Sequence, residues 1–405
     1  MPRPLEGVRV LDLTRVLAGP HASRMLCDLG AEVIKVEPPE GDITRTTHPR
    51  RHSIASHFAQ QNVGKRCISV DLAQDAGRDL VARLADRSDV LLENFRPGVL
   101  DRLGLGPAVL RARNPRLVYA SASGYGQTGP WVARRAYAPV VGAEAGLTRS
   151  QGDARGGSYA NDPHSHADLY TAIELAAAVL AALYQRERTG AGDRIDVAMA
   201  QTMLYVNEHA HDALWDGEVA DGVVRSFAPA DYPVLTAANG DVVVVSGHPA
   251  ENTTFDYYML AIGRRDLLDD PRLGDVAGRL AHLGEIQDAL RAWARTMPDA
   301  GAVEERLAEH RLAAGLLRTV AGLADTAWAR ERDATVRVSD RGGGTIRLPN
   351  APWRFDGSDV RVSGEPRYRG EDNRAVLSEV LGIDDAALDA LEASGVISSR
   401  PPRRA

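Results

Sequence analysis

The chain has 405 residues, of which 44% are hydrophobic and 25% are charged, and its formal net charge at pH 7 is −7. This length is sufficient for two or three domains with cores of their own, and the composition is typical of globular enzymes rather than disordered or fibrous chains. The acidic balance argues against a nucleic-acid partner, which usually requires a basic surplus.

Strand and helix patterns alternate in the N-terminal part of the chain. Strands are predicted at VRVLDL (8–13), EVIKVEP (32–38), CISVDL (67–72), DVLLENF (89–95) and RLVYASASG (116–124), with helical segments such as AGPHASRMLCDLGA (18–31) between them. This alternation predicts an α/β fold with a doubly wound, mainly parallel, Rossmann-like sheet that binds ligands beyond the carboxyl ends of its strands. The first turn, TRVLAGP, lacks GxGxxG, so a standard dinucleotide site is not expected.

The pattern changes along the rest of the chain. A long helix over 168–188 ends at the glycines of TGAGDR and is followed by a strand and a helix in RIDVAMAQTMLYVNEHAHDAL. Residues 227–249 form short β runs around an NG turn, which predicts a hairpin, and charged helical sequence follows to about residue 325. We predict a large domain over 1–205, a smaller α+β domain over 226–325, and a C-terminal segment over 350–405 that returns to the large domain.

The segment PHSHAD places one carboxylate, Asp168, at the head of the long helix. Asp is a favoured N-cap, which gives a purely structural interpretation. The alternative is a nucleophile, because N–H groups at a helix start keep a partly desolvated carboxylate ionised. Histidine and carboxylate side chains also bind zinc or iron, so a metal hydrolase is a further alternative. We favour solvated or hydrogen-bonded histidines, with His164 and His166 as candidates to orient Asp168 or a substrate carboxylate, and we predict no metal site.

Other features favour a cytoplasmic location with no membrane partner. Cys27 and Cys67 form no CxxC pair, so the sequence supports neither a disulfide framework nor a zinc knuckle. The N-terminus runs directly into a strand pattern without an apolar signal segment. The longest apolar run, residues 175–184, is shorter than the ~20 residues of a membrane span. The tail SSRPPRRA is predicted to be a solvated terminus.

Eight motifs, in the same order, resemble the class III CoA-transferase family, also called the CaiB/BaiF or carnitine and bile-acid CoA-transferase family. They are LEGVRVLDLTRVLAGP, LGAEVIKVEPPEGD, GKRCISVDL, DVLLENFRPGVLDRLGLG, SGYGQTGP, the Asp168 helix with ERTGAGDRIDVAMAQTM, LLDDPRL and YRGEDNRAVLSEVLG. The resemblance covers nearly the whole chain. It implies an interlocked homodimer with long linkers, for which residues 205–230 and 325–350 are candidates, and it implies that CoA is a substrate with no tightly bound cofactor.

The resemblance also implies roles for individual residues. Asp168 matches the aspartate that attacks the acyl-CoA thioester to give a mixed anhydride and then an aspartyl-CoA thioester, from which a carboxylic acid takes the CoA. The implied CoA contacts are Val16, Leu17, Ala18, Lys65, Val70, Asn94, Phe95, Arg102 and Arg135, and the candidate substrate contacts are Tyr137, His164, His166 and His248. Lys35 and Lys65, the only lysines among 48 basic residues, lie within matching motifs, which suggests a need for a compact ammonium there and a phosphate contact.

The chain departs from relatives in three places. Leu17 stands where formyl- and oxalate-type transferases have glutamine, which argues against a small oxalate-like acid. VVVVSGHPAENTT replaces their glycine-rich loop, with His248 and Asn252 as candidate substitutes. Tyr137 stands where α-methylacyl-CoA racemases have a histidine that moves the α proton, so a racemase is an alternative that lacks its base. A non-catalytic acyl-CoA-binding protein is another alternative. The arginines and histidines suit a second carboxylate, as in succinyl- or mesaconyl-type esters.

Overall fold

A computed structural model describes residues 2–218 and 227–400. The predicted start of the small domain at residue 226 and the tail beyond residue 400 lie outside these residues. The strands are β1 (Arg9–Asp12), β2 (Glu32–Glu37), β3 (Arg50–Arg51), β4 (Ile54–Ala55), β5 (Arg66–Ser69), β6 (Val90–Glu93), β7 (Val118–Ser123), β8 (Arg194–Ala198), β9 (Val234–Thr236), β10 (Val242–Val245), β11 (Ala314–Leu316), β12 (Thr335–Ser339) and β13 (Thr345–Pro349).

The α-helices are α1 (Ala18–Asp28), α2 (Ser56–Asn62), α3 (Asp75–Asp86), α4 (Val99–Arg102), α5 (Pro107–Arg113), α6 (Ala138–Glu144), α7 (Leu147–Asp153), α8 (His166–Thr189), α9 (Met199–Tyr205), α10 (Ala210–Ala213), α11 (Asn252–Ile262), α12 (Arg265–Leu268), α13 (Val276–Ala281), α14 (Leu283–Ala294), α15 (Ala300–Glu309), α16 (Val320–Ala324), α17 (Ala327–Glu331), α18 (Asn373–Leu381) and α19 (Asp385–Ala393). Short 3-10 turns cover Ile43–Thr46, Pro229–Asp231 and Pro271–Leu273. The strand and helix alternation predicted for the first 124 residues is present.

The chain divides into two compact units. The large unit contains residues 1–148, 160–210 and 327–405, and the small unit contains residues 149–159 and 211–326. The large unit therefore resumes at Ala327 rather than at residue 350. The β12–β13 hairpin accounts for this difference, because Val338 and Leu348 pack into a core cluster with Ile54 and Val362 of the same unit. Residues 335–349, which the sequence had suggested as a linker, thus belong to the large unit.

The large unit is built on one parallel sheet with the order β5-β2-β1-β6-β7-β8. Each pair of neighbours is parallel, with Val10 aligned on Val33 of β2 and on Val90 of β6. Within this sheet the chain first adds strands outward from β1 and then crosses to β6, so the order reverses between β1 and β6. This is the Rossmann-type order, and it confirms the predicted doubly wound sheet.

Successive residues of the sheet point to opposite faces and join different core clusters. Val10 and Val33 pack with helices α1 and α8 on one face. Leu11 and Ile34 pack with α3, α5, α18 and α19 on the other face. The C-terminal segment is tied to the sheet by polar contacts as well, since Asn373 accepts a hydrogen bond from the backbone N–H of Ser69 at 2.8 Å. Both ends of the chain therefore build this unit.

Helix α8 carries the predicted nucleophile and lies in the core of the large unit. It ends at Gly190, whose φ of +76° is the left-handed conformation that glycine adopts readily. Among the described residues it is the helix that has the length and apolarity of a membrane span. Its buried side chains, including Ala172, Leu175 and Val179, pack with α1 and the sheet, and the core helix of a soluble protein meets the same criterion.

The small unit is an α+β structure. Strands β9, β10 and β11 form an antiparallel sheet in the order β11-β10-β9. The predicted hairpin is present, with Val243 aligned on Leu235 and Gly240 of the NG turn at a φ of +91°. Helices α11, α14 and α15 contribute Phe255, Ile286 and other buried side chains to its core.

Candidate active site

A cavity of about 670 Å³ opens in the large unit at the carboxyl ends of β1, β6 and β7. This is the position where the strand order reverses, and doubly wound sheets bind ligands at such a reversal. The segments that follow these strands and the first turn of α8 build the wall. Its lining residues are Arg15, Val16, Ala18, Glu40, Gly41, Asp42, Ile43, Thr46, Asn94, Phe95, Arg96, Pro97, Ala122, Ser123, Gly124, Tyr125, Gly126, Val132, Arg134, Arg135, Ala136, Tyr137, Asp168 and Met199.

Asp168 lies in the wall of this cavity, on the first turn of α8. The helix begins at His166 with Ser165 as its N-cap residue, so the interpretation of Asp168 as the helix cap is wrong. Its neighbours Ala167 and Met199 belong to an apolar cluster. Burial raises the pKa of Asp168 to about 6. The N–H groups of a helix start alone would instead lower this pKa, because they favour the ionised carboxylate. Its ionised form is therefore poorly solvated and correspondingly reactive.

The three carboxylates that line the cavity differ in their partners. Glu40 is exposed and lies 3.5 Å from the guanidinium of Arg15. Asp42 is buried against the ammonium of Lys35 at 3.2 Å. For Asp168, burial is the cause of the pKa shift. Of these three groups, Asp168 is half-buried beside the apolar cluster of Ala167 and Met199 and has a raised pKa, which is the environment expected of a covalent nucleophile.

Several predicted CoA contacts are brought together in this wall. Val16 lines it from the turn before α1 and Ala18 from the first residue of that helix, and Asn94, Phe95 and Arg135 line it from the segments after β6 and β7. The side-chain amide of Asn94 donates to the carbonyl of Arg15 and accepts from its N–H, both at 2.8 Å. Asn94 therefore fixes the turn after β1 in addition to facing the cavity.

The four other predicted CoA contacts do not line this cavity; three are Leu17, Val70 and Arg102, and the fourth, Lys65, is described below. Leu17 is half-buried at the N-cap position of α1 and does not line the cavity. Val70 lines an adjoining cavity of about 210 Å³ that shares Phe95 with the main one. Arg102 is exposed at the end of α4 and lines neither cavity.

Lys65 is the clearest correction to the predicted contacts. Its ammonium is fully buried at 3.0 Å from a carboxylate oxygen of Asp12 and also donates to Ser23 and Asn62. These hydrogen bonds use the donors that a phosphate would need. Lys65 therefore stabilises the interior beneath α1 and is not a ligand contact.

The histidines near Asp168 are also placed outside the cavity lining. His164 is exposed. His166 contacts a carboxylate oxygen of Asp162 through Nδ1 and stacks on Tyr170 with ring centroids 5.6 Å apart. His166 does not orient Asp168, because residues two apart on a helix point to different faces, and His164 precedes the helix and does not line the cavity. Among residues 2–218 and 227–400, no three His, Cys, Asp or Glu side chains form a group able to hold a metal.

The remaining two candidate substrate contacts differ in position. Tyr137 is 66% exposed and lines the cavity. His248 belongs to the small unit, where it is buried, stacks on Phe227 at 4.0 Å and lies 3.8 Å from Asp231. Burial lowers the pKa of His248. Asn252, its suggested companion, accepts a hydrogen bond from Arg279 at 2.9 Å within the same unit.

Sequence reasoning missed a cluster of cavity cations and aromatic rings. Arg15 and Arg96 follow β1 and β6, and Arg134 lies over the ring of Trp131 at 4.4 Å and pairs with Glu144. Arg15 and Arg96 could have been selected from the sequence, because they lie just beyond the carboxyl ends of predicted strands. The same criterion would have selected Tyr125, which lines the cavity after β7.

Comparisons with known proteins cover nearly the whole chain. A family model described as CoA-transferase family III matches residues 5–373. A probable fatty acyl-CoA transferase, Rv3272 of Mycobacterium tuberculosis, is 36% identical over 391 residues, which cover 93% of this chain and 98% of that protein. The Formyl-CoA:oxalate CoA-transferase of Streptomyces coelicolor is 34% identical over 416 residues, covering 98% and 99% of the two chains.

A third relative and two crystal structures agree with these matches. The Succinyl-CoA--D-citramalate CoA-transferase of Chloroflexus aurantiacus is 31% identical over 408 residues, with 98% of each chain covered. A CAIB/BAIF family protein from Brucella suis superposes with a TM-score of 0.80 at 30% identity, covering 94% of this chain and 100% of that one. Rv3272 superposes with a TM-score of 0.78 at 34% identity, covering 92% and 98%.

Proposed function

Because the chain belongs to CoA-transferase family III, we propose that it moves CoA from an acyl-CoA thioester to a carboxylic acid with Asp168 as the covalent nucleophile. The family assignment confirms the resemblance carried by the sequence motifs, and the chain is an enzyme of this family. The observation that supports the role of Asp168 is its position. It is a half-buried carboxylate of the cavity wall whose pKa is raised by desolvation, with no cation lowering it.

The proposed reaction has four steps. A carboxylate oxygen of Asp168 attacks the thioester carbonyl, the C–S bond breaks, and CoA leaves as a thiolate from a mixed anhydride. The thiolate then attacks the aspartyl carbonyl, which releases the donor carboxylate and forms an aspartyl-CoA thioester. The acceptor carboxylate attacks this thioester and gives a second anhydride and the CoA thiolate. The thiolate finally attacks the acceptor's acyl carbonyl, and Asp168 leaves as a carboxylate. No net proton is consumed.

The raised pKa of Asp168 supports these steps physically. A poorly solvated carboxylate loses less hydration energy when it attacks a carbonyl, so its nucleophilicity rises. The same weak solvation destabilises the free carboxylate relative to the uncharged aspartyl group of the anhydride and of the thioester, which favours accumulation of the covalent intermediates.

We further propose a dicarboxylate as one of the substrates. Arg15 pairs with Glu40 and Arg134 with Glu144. Within the described part of the chain, Arg135 lines the cavity without a carboxylate in ion-pair range. Among the described residues, Arg96 also lines the cavity without a carboxylate in ion-pair range. Two free guanidinium groups fit the CoA phosphates and a second carboxylate, because guanidinium binds both in a bidentate manner. The relatives named for succinyl-CoA and oxalate transfer are consistent with this class.

A homodimer acting in the cytoplasm completes the proposal. Large apolar side chains are exposed on the large unit, among them Tyr184, Leu204 and Tyr205. Exposed apolar side chains that form a contiguous patch mark contact surfaces, and most soluble oligomers are symmetric assemblies of one chain. Light scattering of the purified protein should give twice the mass of one chain, and a monomer at micromolar concentration would contradict the proposal.

The transfer reaction is tested by mixing the protein with succinyl-CoA and single carboxylic acids and separating the CoA thioesters by liquid chromatography. We expect a new thioester with dicarboxylates such as mesaconate, faster than with monocarboxylates such as butyrate. Asp168→Ala should abolish the product, whereas Glu174→Gln, on the same helix but outside the cavity, should retain it. No product with any acid would contradict the proposed transfer, and equal rates with both acid classes would contradict the dicarboxylate proposal.

A further inference from the structure

The turn between β1 and α1 contains a strained residue. Val16 has a φ of +70°, in the left-handed region that β-branched side chains rarely occupy. Val16 lines the cavity together with its neighbours Arg15 and Ala18. Strain of this kind persists only where surrounding contacts determine the backbone, and it concentrates at functional sites.

Hydrogen bonds to buried side chains hold this turn from several directions. The N–H of Val16 donates to Oδ2 of Asp42 at 3.3 Å. The side-chain amide of Asn94 holds the peptide groups on both sides of Arg15, through its bonds to the N–H and the carbonyl of that residue. The carbonyl of Thr14 accepts from Nζ of Lys35 at 2.8 Å. Two of these anchors, Asp42 and Lys35, are themselves linked.

Lys35 joins the two anchors in a fully buried ion pair. Its Nζ lies 3.2 Å from Oδ2 of Asp42, and both side chains have no exposed surface. Burial alone would lower the pKa of Lys35, but the carboxylates of Asp12, Asp42 and Glu37 outweigh burial and raise it. Lys35 therefore remains a charged donor, and it fixes both the carbonyl of Thr14, two residues before Val16, and the Asp42 carboxylate that accepts from the N–H of Val16.

Stability does not explain this arrangement well. A buried ion pair is often no more stabilising than apolar side chains of the same volume, because both charges lose their hydration. A compact ammonium, unlike a planar guanidinium, can donate to a carbonyl and a carboxylate in a confined space. The chain has only two lysines among its 48 basic residues, and one of them is placed here.

We infer that Lys35 is a positioning residue for thioester binding: through Thr14 and Asp42 it holds Val16 in the strained conformation that shapes the cavity wall facing Asp168. The inference rests on the proposed function, since it takes the cavity to bind a CoA thioester. Lys35 does not line the cavity and acts only through these neighbours.

Lys65 provides a matched control. It is also fully buried, and it pairs with Asp12 at 3.0 Å and donates to Ser23 and the carbonyl of Pro20. None of these partners lines the cavity. Lys65→Met therefore removes an equally buried ammonium and leaves both contacts of Lys35 in place, since Lys65 reaches the turn only through Asp12, which accepts from the N–H of Thr14 at 2.9 Å.

The test is a double-mutant cycle read by calorimetric titration with free CoA. We expect Lys35→Met to weaken CoA binding about tenfold, or about 1.4 kcal/mol. Glycine adopts a φ of +70° without steric cost, so Lys35→Met should weaken binding less than about threefold when Val16 is already changed to Gly. Lys65→Met should weaken CoA binding less than about twofold, which is the scatter with which the effects of separate mutations add.

Lys35→Met leaves the Asp42 carboxylate buried without its cation, and the resulting loss of stability could prevent folding. In that case we would compare the double variant Lys35→Met/Asp42→Asn with Asp42→Asn alone. The double variant removes both charges and keeps an acceptor oxygen for the N–H of Val16. We expect it to bind CoA about tenfold more weakly than Asp42→Asn.

The inference would be overturned if Lys35→Met weakened CoA binding equally in the wild-type background and in the Val16→Gly background. It would also be overturned if Lys35→Met and Lys65→Met weakened CoA binding equally. Wild-type protein that binds CoA while Lys35→Met binds it equally well would overturn the inference alone. Wild-type protein that binds no CoA would overturn the proposed function as well.

Discussion

The raised pKa of Asp168 predicts how the reaction depends on pH. With a pKa of about 6, the carboxyl is ionised in about 90% of molecules at pH 7 and in about 10% at pH 5. An aspartate of ordinary pKa would remain more than about 90% ionised over the same range. If the ionised form is the nucleophile, kcat/KM should fall about tenfold from pH 7 to pH 5 with an apparent pKa near 6, because kcat/KM reports ionisations of the free enzyme.

The substrate must not titrate in the same range for this test to be decisive. The phosphomonoester of CoA has a second pKa near 6, so the assay uses the propionyl thioester of dephospho-CoA, whose acyl group also carries no acid. We would measure kcat/KM for this thioester at saturating acceptor acid, because in a ping-pong reaction that ratio reports only the half-reaction with Asp168 and is independent of the acceptor's own titration, and Glu174→Gln serves as the control variant. A profile that stays flat to pH 4.5 would refute the argument that burial sets the reactivity of Asp168.

Four further predictions follow from the same structure. Asp168→Asn should raise the free energy of unfolding by about 1 to 3 kcal/mol at pH 7.5. In the wild type, the stability linked to the raised pKa of Asp168 is present below about pH 4 and is lost as pH rises through 6, whereas asparagine stays neutral. Chemical denaturation at pH 7.5 and 3.5 should therefore show the gain only at the higher pH. Burial raises the pKa of Cys27 and of Cys67 to about 12, so iodoacetamide at pH 8 should modify neither thiol until the protein unfolds, as read by intact mass. Gly124→Ala would place a Cβ 2.1 Å from that of Ala136 in the cavity wall, and titration should show CoA binding weakened about tenfold. Arg135→Ala should weaken CoA binding about tenfold and reduce its dependence on salt, measured by titration at two ionic strengths.

The fold was predictable because its signals are local and repeated. Six strands of period-two or continuous apolar sequence, separated by helices, specify a parallel sheet almost without tertiary information. The sequence indicates a linker where the β12–β13 hairpin lies, because each strand buries only one residue and the two are joined by GGG. Its membership of the large unit depends on packing against Ile54 and Val362, which are far away in the sequence.

The candidate site was predictable only in part. The motif order brought Asp168, Val16 and Asn94 to one cavity, because residues after neighbouring parallel strands meet at the same edge. The motifs could not distinguish a lysine that faces a ligand from one that pairs internally with Asp12, since both are charged residues in a strand-flanking turn. The direction of the pKa shift of Asp168 was also inaccessible, because it depends on the apolar packing of α6 and α9 around α8.

The central claim is that Asp168 becomes covalently acylated and then carries CoA. We would incubate the protein with succinyl-CoA, quench it, treat it with hydroxylamine or borohydride, and read the intact mass and the modified peptide. Both lysines are buried, so acylation of amines should contribute little background. We predict a hydroxamate or a reduced side chain at position 168 in the wild type and in Glu174→Gln, and none in Asp168→Ala. An unmodified protein after exposure to a panel of acyl-CoA thioesters, with exchange of their α protons into deuterated water, would contradict the account and favour racemase chemistry.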